Sequence, residues 1–218
     1  MRPPYATVTI VVLCVLAFLV QETLAEPAAW DFVLGFSMVP AVVTGDRLLP
    51  PDVPSLGRAF SLLSSMFLHA DVWHLAGNMM LLWLLGDGVE GAMGHLRFIV
   101  FYLLCGLAGA GAQILSDPGS LDPVVGASGA ISGVLAAALV LQPRARLVLP
   151  LGHRRVVLPV SLYAAVAGWF GIQLAEALTG GPDGAVAWLS HLGGFVAGII
   201  LALPFARPAE ADRPTPPS

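Results

Sequence analysis

Val125-Gly126-Ala127-Ser128-Gly129-Ala130-Ile131-Ser132-Gly133 sets a serine among small residues at the head of an apolar stretch that runs on to Leu141. Farther along, Ser190-His191-Leu192-Gly193-Gly194 opens a second apolar stretch with a histidine. Both stretches read as helices with a polar group in the first turn. Polar side chains at membrane depth are costly, so a candidate nucleophile and a candidate base placed there ask for a reason. Chemistry carried out inside the bilayer would be such a reason.

Composition agrees with a membrane setting. Of 218 residues, 57% are hydrophobic and 11% charged, against about 25% charged in soluble domains. Every basic residue is arginine and the net charge is −4, so no basic field for nucleic acid exists and nucleic acid is excluded as a partner. Cys14 and Cys105 both sit in apolar runs and read as small hydrophobes, not as a disulfide or metal pair.

The periodic and apolar runs predict an all-α membrane protein with six spans, at Ala6–Val20, Val72–Leu85, Leu96–Leu115, Gly126–Leu141, Val156–Leu178 and Val186–Phe205. Residues 1–206 form one domain, and 207–218 read as a disordered cytoplasmic tail, being rich in proline. The segment Gln21–Asp71 has no spanning run and reads as a long outer loop with short amphipathic pieces. Trp30, Phe32 and Phe36 in it suit the headgroup layer. A cleavable signal peptide ending near Ala25 is the rival reading of the N-terminus; it would leave an odd number of spans. The first run is long enough to cross with some tilt, which favours retention.

Arginines orient the bundle. Gln142–Arg155 carries Arg144, Arg146, Arg154 and Arg155, whereas Ser116–Val125 and Thr179–Ala185 carry none. The positive-inside rule places the first of these in the cytoplasm and the other two outside. Both termini then lie inside, with Arg2, Arg97, Arg207 and Arg213, while Arg47 and Arg58 dissent. Ser128 and His191 come to lie near the outer ends of their helices, the same depth from two independent signals.

A helix start exposes unpaired backbone N–H groups, here around Ala127, Ser128 and Gly129, and these can hold the oxyanion of a tetrahedral intermediate. Gly126 permits a tight backbone approach just before. At 1.5 Å per residue, Gly126–Leu141 covers about 24 Å of a hydrocarbon core near 30 Å, so Ser128 can lie at the foot of a wet cavity. The bland alternative for Gly129/Gly133 and Gly194/Gly198 is close helix packing, and for His191 a satisfied core hydrogen bond. Packed against Ser128, His191 could instead take the serine proton and return it to the leaving amine.

His69-Ala-Asp-Val-Trp-His74-Leu-Ala-Gly-Asn78 adds a third polar group. His74 and Asn78, four apart, share one face of the second span, and both can donate to an oxyanion. His69 reads as a brace for the loop above. Three histidines raise zinc, but no His-Glu-x-x-His helix or cysteine set accompanies them, so no metal is expected. No acid completes a triad with His191. Glu90, in Gly86-Asp-Gly-Val-Glu90-Gly-Ala-Met-Gly94, reads as structural, accepting from a neighbouring loop or pairing with Arg97. On the fifth span, Tyr163, Trp169 and Phe170 read equally as gate residues or as lipid-facing bulk.

Taken together, His69…His74-xxx-Asn78, Gly86-xxx-Glu90-xxx-Gly94, Gly126-Ala-Ser128-Gly129 and His191-xx-Gly194-xxx-Gly198 resemble the rhomboid intramembrane serine proteases, from about Phe36 to Phe205. The resemblance implies Ser128 as nucleophile and His191 as general base and acid. It also implies an oxyanion hole from the backbone at Gly126, Ala127 and Ser128 with His74 and Asn78. Substrates would be single-span membrane proteins with helix-destabilising residues near the outer face, cut without cofactor, in a minimal six-span form of a bacterial plasma membrane. Two positions depart from the family pattern: Gly57-Arg58 stands where a Trp-Arg pair is common, and Ser132 where many members carry an aromatic beneath the histidine. A non-catalytic client-binding protein is the alternative; intact Ser128 and His191 argue against it. A small transporter is a third, without the inverted repeat expected of one.

Overall fold

The computed structural model describes residues 3–144, 146–151, 154–179 and 188–207. The expected tail beyond Arg207, most of the Thr179–Ala185 loop and the first two residues of the expected sixth span lie outside them. The elements are α1 (Tyr5–Thr23), α2 (Ala28–Phe36), α3 (Pro40–Thr44), α4 (Arg58–Ser64), a 3-10 turn (Ser65–Phe67), α5 (Val72–Met93), α6 (His95–Ser116), α7 (Ser128–Leu141), the strands β1 (Arg146–Leu151) and β2 (Arg154–Ser161), α8 (Leu162–Thr179) and α9 (Trp188–Phe205). Three of the helices, α1, α6 and α9, are long and apolar enough to cross a membrane; α7 and the first part of α8 are shorter apolar helices.

α7 is the axis of the bundle. Every residue from Gly129 to Ala138 is buried, as a helix apolar all round must be. α9 lies against it along a seam of glycines. A Cβ on Gly198 would stand 2.6 Å from the Gly133 Cα, and one on Gly194 would run into the Gly129 carbonyl. Only glycine lets the two backbones come this close, and dispersion between them then holds the seam. α6 closes the other side: Cys105, fully buried and free, fills the space beside Gly133.

α1 presents Ala6, Thr7, Ile10, Cys14 and Phe18 to this core, one helical stripe. Its opposite face shows Val8, Val12, Leu16 and Leu19 exposed, the pattern of a helix bathed in lipid rather than water. The Gly86-xxx-Glu90-xxx-Gly94 pattern explains how α1 is held. Gly86 leaves room for Thr7, whose Oγ1 would lie 2.7 Å from any added Cβ. Glu90, 2% exposed, then accepts from the Ala6 N–H at 2.9 Å, the Thr7 N–H at 2.8 Å and the Thr7 hydroxyl at 2.6 Å. A carboxylate at a helix start satisfies orphan amides and complements the helix dipole. Its fourth partner is His95 Nδ1 at 2.5 Å. Gly94, at φ +86°, turns the chain from α5 into α6. The expected partners of Glu90 are therefore corrected: it binds the first turn of α1 instead of a loop, and Arg97 reaches the Ala206 carbonyl at 3.2 Å instead.

Two further expectations change. The fifth span was read from Val156, but Val156–Ser161 belong to β2, paired antiparallel with β1 in the register Val148↔Val157 and Leu149↔Val156. Helix begins only at Leu162. Valine-rich sequence favours strand, and Pro150 and Pro159 are tolerated because each strand of a two-stranded hairpin is an edge. The fold is thus mainly helical with one hairpin, not wholly α. The second apolar run also continues two turns past Leu85, to Met93.

Within Gln21–Asp71 the chain forms α2, α3, α4 and the 3-10 turn, with Trp30 exposed and Phe32 packed on Phe36 at 4.8 Å. Arg58, at the departure from the family pattern, lays its guanidinium against Gly45. This segment is tied to the chain ahead of α7: Met38 and Val124 exchange both backbone hydrogen bonds, at 3.0 and 2.9 Å.

Candidate active site

Ser128 is the first helical residue of α7. Gly126 just before it has φ +125°, a conformation that L side chains avoid, and its N–H donates to the Ser65 carbonyl at 2.9 Å. A Cβ there would also meet His74 Nε2 at 2.8 Å. The glycine is thus required twice, by its dihedral and by the imidazole pressed against it. Ala127 is fully buried and leads into the helix.

His191 lies in the first turn of α9 and is 5% exposed. Its Nε2 is 2.7 Å from Ser128 Oγ, a good hydrogen-bond distance. The glycine seam produces this meeting: with Gly194 against Gly129, residue 191 falls beside residue 128.

The α5 side chains approach from the other flank. Asp71 caps α5, accepting from the N–H groups of Trp73 at 2.7 Å and His74 at 2.9 Å, which fixes the turn that carries His74. One turn on, Asn78 is buried and its Nδ2 has no hydrogen-bond partner among the described residues. A buried, unused amide donor is costly unless something arrives to use it. His69 is fully buried and packs edge-on to His74, ring centroids 5.2 Å apart. Among the described residues neither of its ring nitrogens makes a well-formed hydrogen bond, the Phe67 carbonyl being its nearest acceptor influence. Burial, and then proximity to His74, push its imidazole down to about 4, against weaker pulls from the Phe67 carbonyl and Asp71. Its backbone is clamped by Gln21, which donates to the His69 carbonyl at 3.0 Å and accepts from its N–H at 3.3 Å. Among the described residues no three His, Cys, Asp or Glu side chains gather as metal ligands.

Behind the Gly126 turn is a cavity of about 20 Å³ lined in part by Ser65, Met66, Gly126, Gly129 and Ser190. It has the size and polarity to hold one water.

Gln21 and the Ser65 carbonyl join the site with no signal in the sequence, and so does the contact between Trp169 and His191. The indole of Trp169 lies 5.1 Å from the His191 ring. At Ser132 the hydroxyl bonds back to the Ser128 carbonyl at 2.6 Å. Of the three α8 aromatics, Tyr163 is 57% exposed, whereas Trp169 and Phe170 turn to the core.

Fold and site together define a helical membrane-type protein with a serine and a histidine hydrogen-bonded at the heads of two apolar helices. Residues 56–208 match the family model described as Rhomboid domain, and the chain belongs to the rhomboid family. It is similar to "Rhomboid protease GluP" of Bacillus subtilis, 33% identical over 152 residues, covering 69% of this chain and 27% of that protein. Against "Rhomboid protease AarA" of Providencia stuartii it is 28% identical over 158 residues, covering 65% and 54%. "Rhomboid protein 1, mitochondrial" of Saccharomyces cerevisiae is 29% identical over 157 residues, covering 70% and 44%. The chain therefore spans between about a quarter and about half of the length of these relatives. Family and apolar helices make it an integral membrane protein.

Proposed function

We propose that this chain is an intramembrane serine endopeptidase, in which Ser128 is the nucleophile and His191 the general base and acid. The observation that carries the reading is the 2.7 Å approach of His191 Nε2 to Ser128 Oγ inside an apolar bundle. His191 takes the hydroxyl proton as Oγ attacks the scissile carbonyl carbon, and hands it to the leaving amine as the peptide bond breaks. A water, deprotonated by the same imidazole, then opens the acyl-enzyme and restores the serine.

The oxyanion is met by the N–H groups at the start of α7 together with His74 and Asn78. The unpartnered Nδ2 of Asn78 supports that role. Gly129, Gly194 and Gly198 bring the two reacting helices together, and His69 and Glu90 hold the frame. No cofactor is needed.

Six spans are the reading in which α5, α7 and α8 cross with α1, α6 and α9, within residues 1–206. Both termini and the arginine-rich hairpin face the cytoplasm of a bacterial plasma membrane, and the site opens outward from the bilayer. Water must reach the site through that opening. Substrates are single-span membrane proteins whose helices unwind near the outer face, where Gly or Pro makes unwinding cheaper.

The test is cleavage of a single-span reporter by the purified protein in detergent. Wild type should cut, and Ser128→Ala and His191→Ala should not. Cutting by all three forms would refute the assignment. A non-catalytic client-binding protein would hold the reporter equally well in all three without cutting it.

A further inference from the structure

We propose that Trp169 of α8 is the positioning residue of the Ser128–His191 pair, an inference that rests on the proteolytic reading above. The residue packs against the His191 ring, so its proposed action is through the imidazole.

α8 docks on the bundle by one face. Leu162, Val166, Trp169 and Phe170 form its inward stripe, spaced at helical intervals, and its last two members meet α9 at successive turns. The Trp169 indole lies 5.1 Å from the His191 ring at 53°, and the Phe170 ring lies 4.8 Å from Phe195 at 86°. Trp169 and Phe170 brace one another at 5.0 Å and 86°. His191 and Phe195 are four apart, hence on one face of α9. The result is an aromatic clamp with two jaws, one of which closes on the base.

An imidazole can turn about two side-chain bonds, and its plane must be held for Nε2 to stay aimed at Ser128 Oγ. A flat ring packed against it holds that plane, because tilted aromatic contacts are favoured over random ones. The α7 side offers no such surface: one turn past Ser128 stands Ser132, fully buried, with its hydroxyl committed to the Ser128 carbonyl. The ring against His191 therefore comes from a different helix. In consequence α8 is coupled to the reacting pair, and drawing α8 away from the bundle removes the surface that orients the base.

The experiment measures two rates on the purified full chain in detergent: cleavage of the single-span reporter, and phosphonylation of Ser128 by a small soluble fluorophosphonate. The probe needs an oriented dyad but no room for a substrate helix. Trp169→Phe should keep both rates within about threefold of wild type. Trp169→Leu, which fills the space without a flat ring, and Trp169→Ala should lower probe labelling and kcat together, by roughly 10- to 100-fold, with KM changed less. Thermal melts taken alongside identify forms that are folded at the assay temperature.

Probe labelling as fast in the Leu and Ala forms as in wild type would overturn the proposal, even if reporter cleavage fell, because that marks a role in substrate entry. Equal loss in the Phe and Leu forms would overturn it too, since no dependence on a ring would remain. Failure of the proteolytic reading looks different: wild type and Ser128→Ala would then label alike.

Discussion

Two sets of polar groups are buried in this apolar bundle, and they are finished differently. At one end Glu90 receives four hydrogen bonds, three from the start of α1 and one from His95. At the other, around Ser128, the Asn78 amide nitrogen and both His69 ring nitrogens lack well-formed hydrogen bonds among the described residues. A satisfied polar cluster stabilises a unique fold; a half-satisfied one is a cost that a ligand or transition state can offset. The contrast is the one expected if the first cluster is structural and the second is the proposed reactive site.

The comparison is broken most severely at Ser128. Ser128→Ala should lower reporter cleavage by about 10⁴-fold or more, while the melting temperature holds or rises. If cleavage survives, the serine is not the nucleophile. Next comes Asn78→Ala, which removes the unused donor: kcat should fall by about 10²- to 10³-fold, the usual cost of one oxyanion-hole hydrogen bond. Stability should fall little with it, because among the described residues the Nδ2 donor has no hydrogen bond to lose. A large drop in melting temperature with unchanged kcat would reverse that assignment.

Glu90→Ala should do the opposite. It orphans the Ala6 and Thr7 amides and should cost about 3 kcal/mol of stability, read from denaturation, with probe labelling of Ser128 preserved in the fraction that remains folded. The smallest effect concerns pH. His69 has a folded value near 4 against about 6.5 when unfolded. Between those values the unfolded chain binds a proton that the fold refuses, so stability falls as pH drops through the window, by up to about 1.4 kcal/mol per pH unit. His69→Gln should flatten that slope in melts taken from pH 7 to pH 4; an unchanged slope would assign it to other groups.

Legibility followed the range of the interactions. Ser128, His191, His74 and Asn78 stood out because polar residues in apolar helices are conspicuous, and helix periodicity put them at helix heads or on a shared face. The glycine spacing of Gly129/Gly133 and Gly194/Gly198 announced a close helix pair, and the seam has that form. The partner of Glu90 was not readable, since nothing in Ala6-Thr7 marks those amides as the ones a carboxylate more than eighty residues away will cap. The hairpin was missed because a short run of Val, Leu and Pro has no decisive period and reads as the start of a span. The sequence alone does not decide between gate and lipid-facing bulk for Trp169, because α8 is apolar on most sides and its rotational phase is set by packing and not by pattern.

The burial of α7 on every side has one more consequence. The helix that carries Ser128 has almost no perimeter facing acyl chains, while α1 and α9 expose much of theirs. Changes in bilayer thickness or lipid species therefore have no direct purchase on the serine. Any such influence has to pass through the helices packed around it, which makes the outer faces of α1 and α9 the boundary between the lipid and the axis.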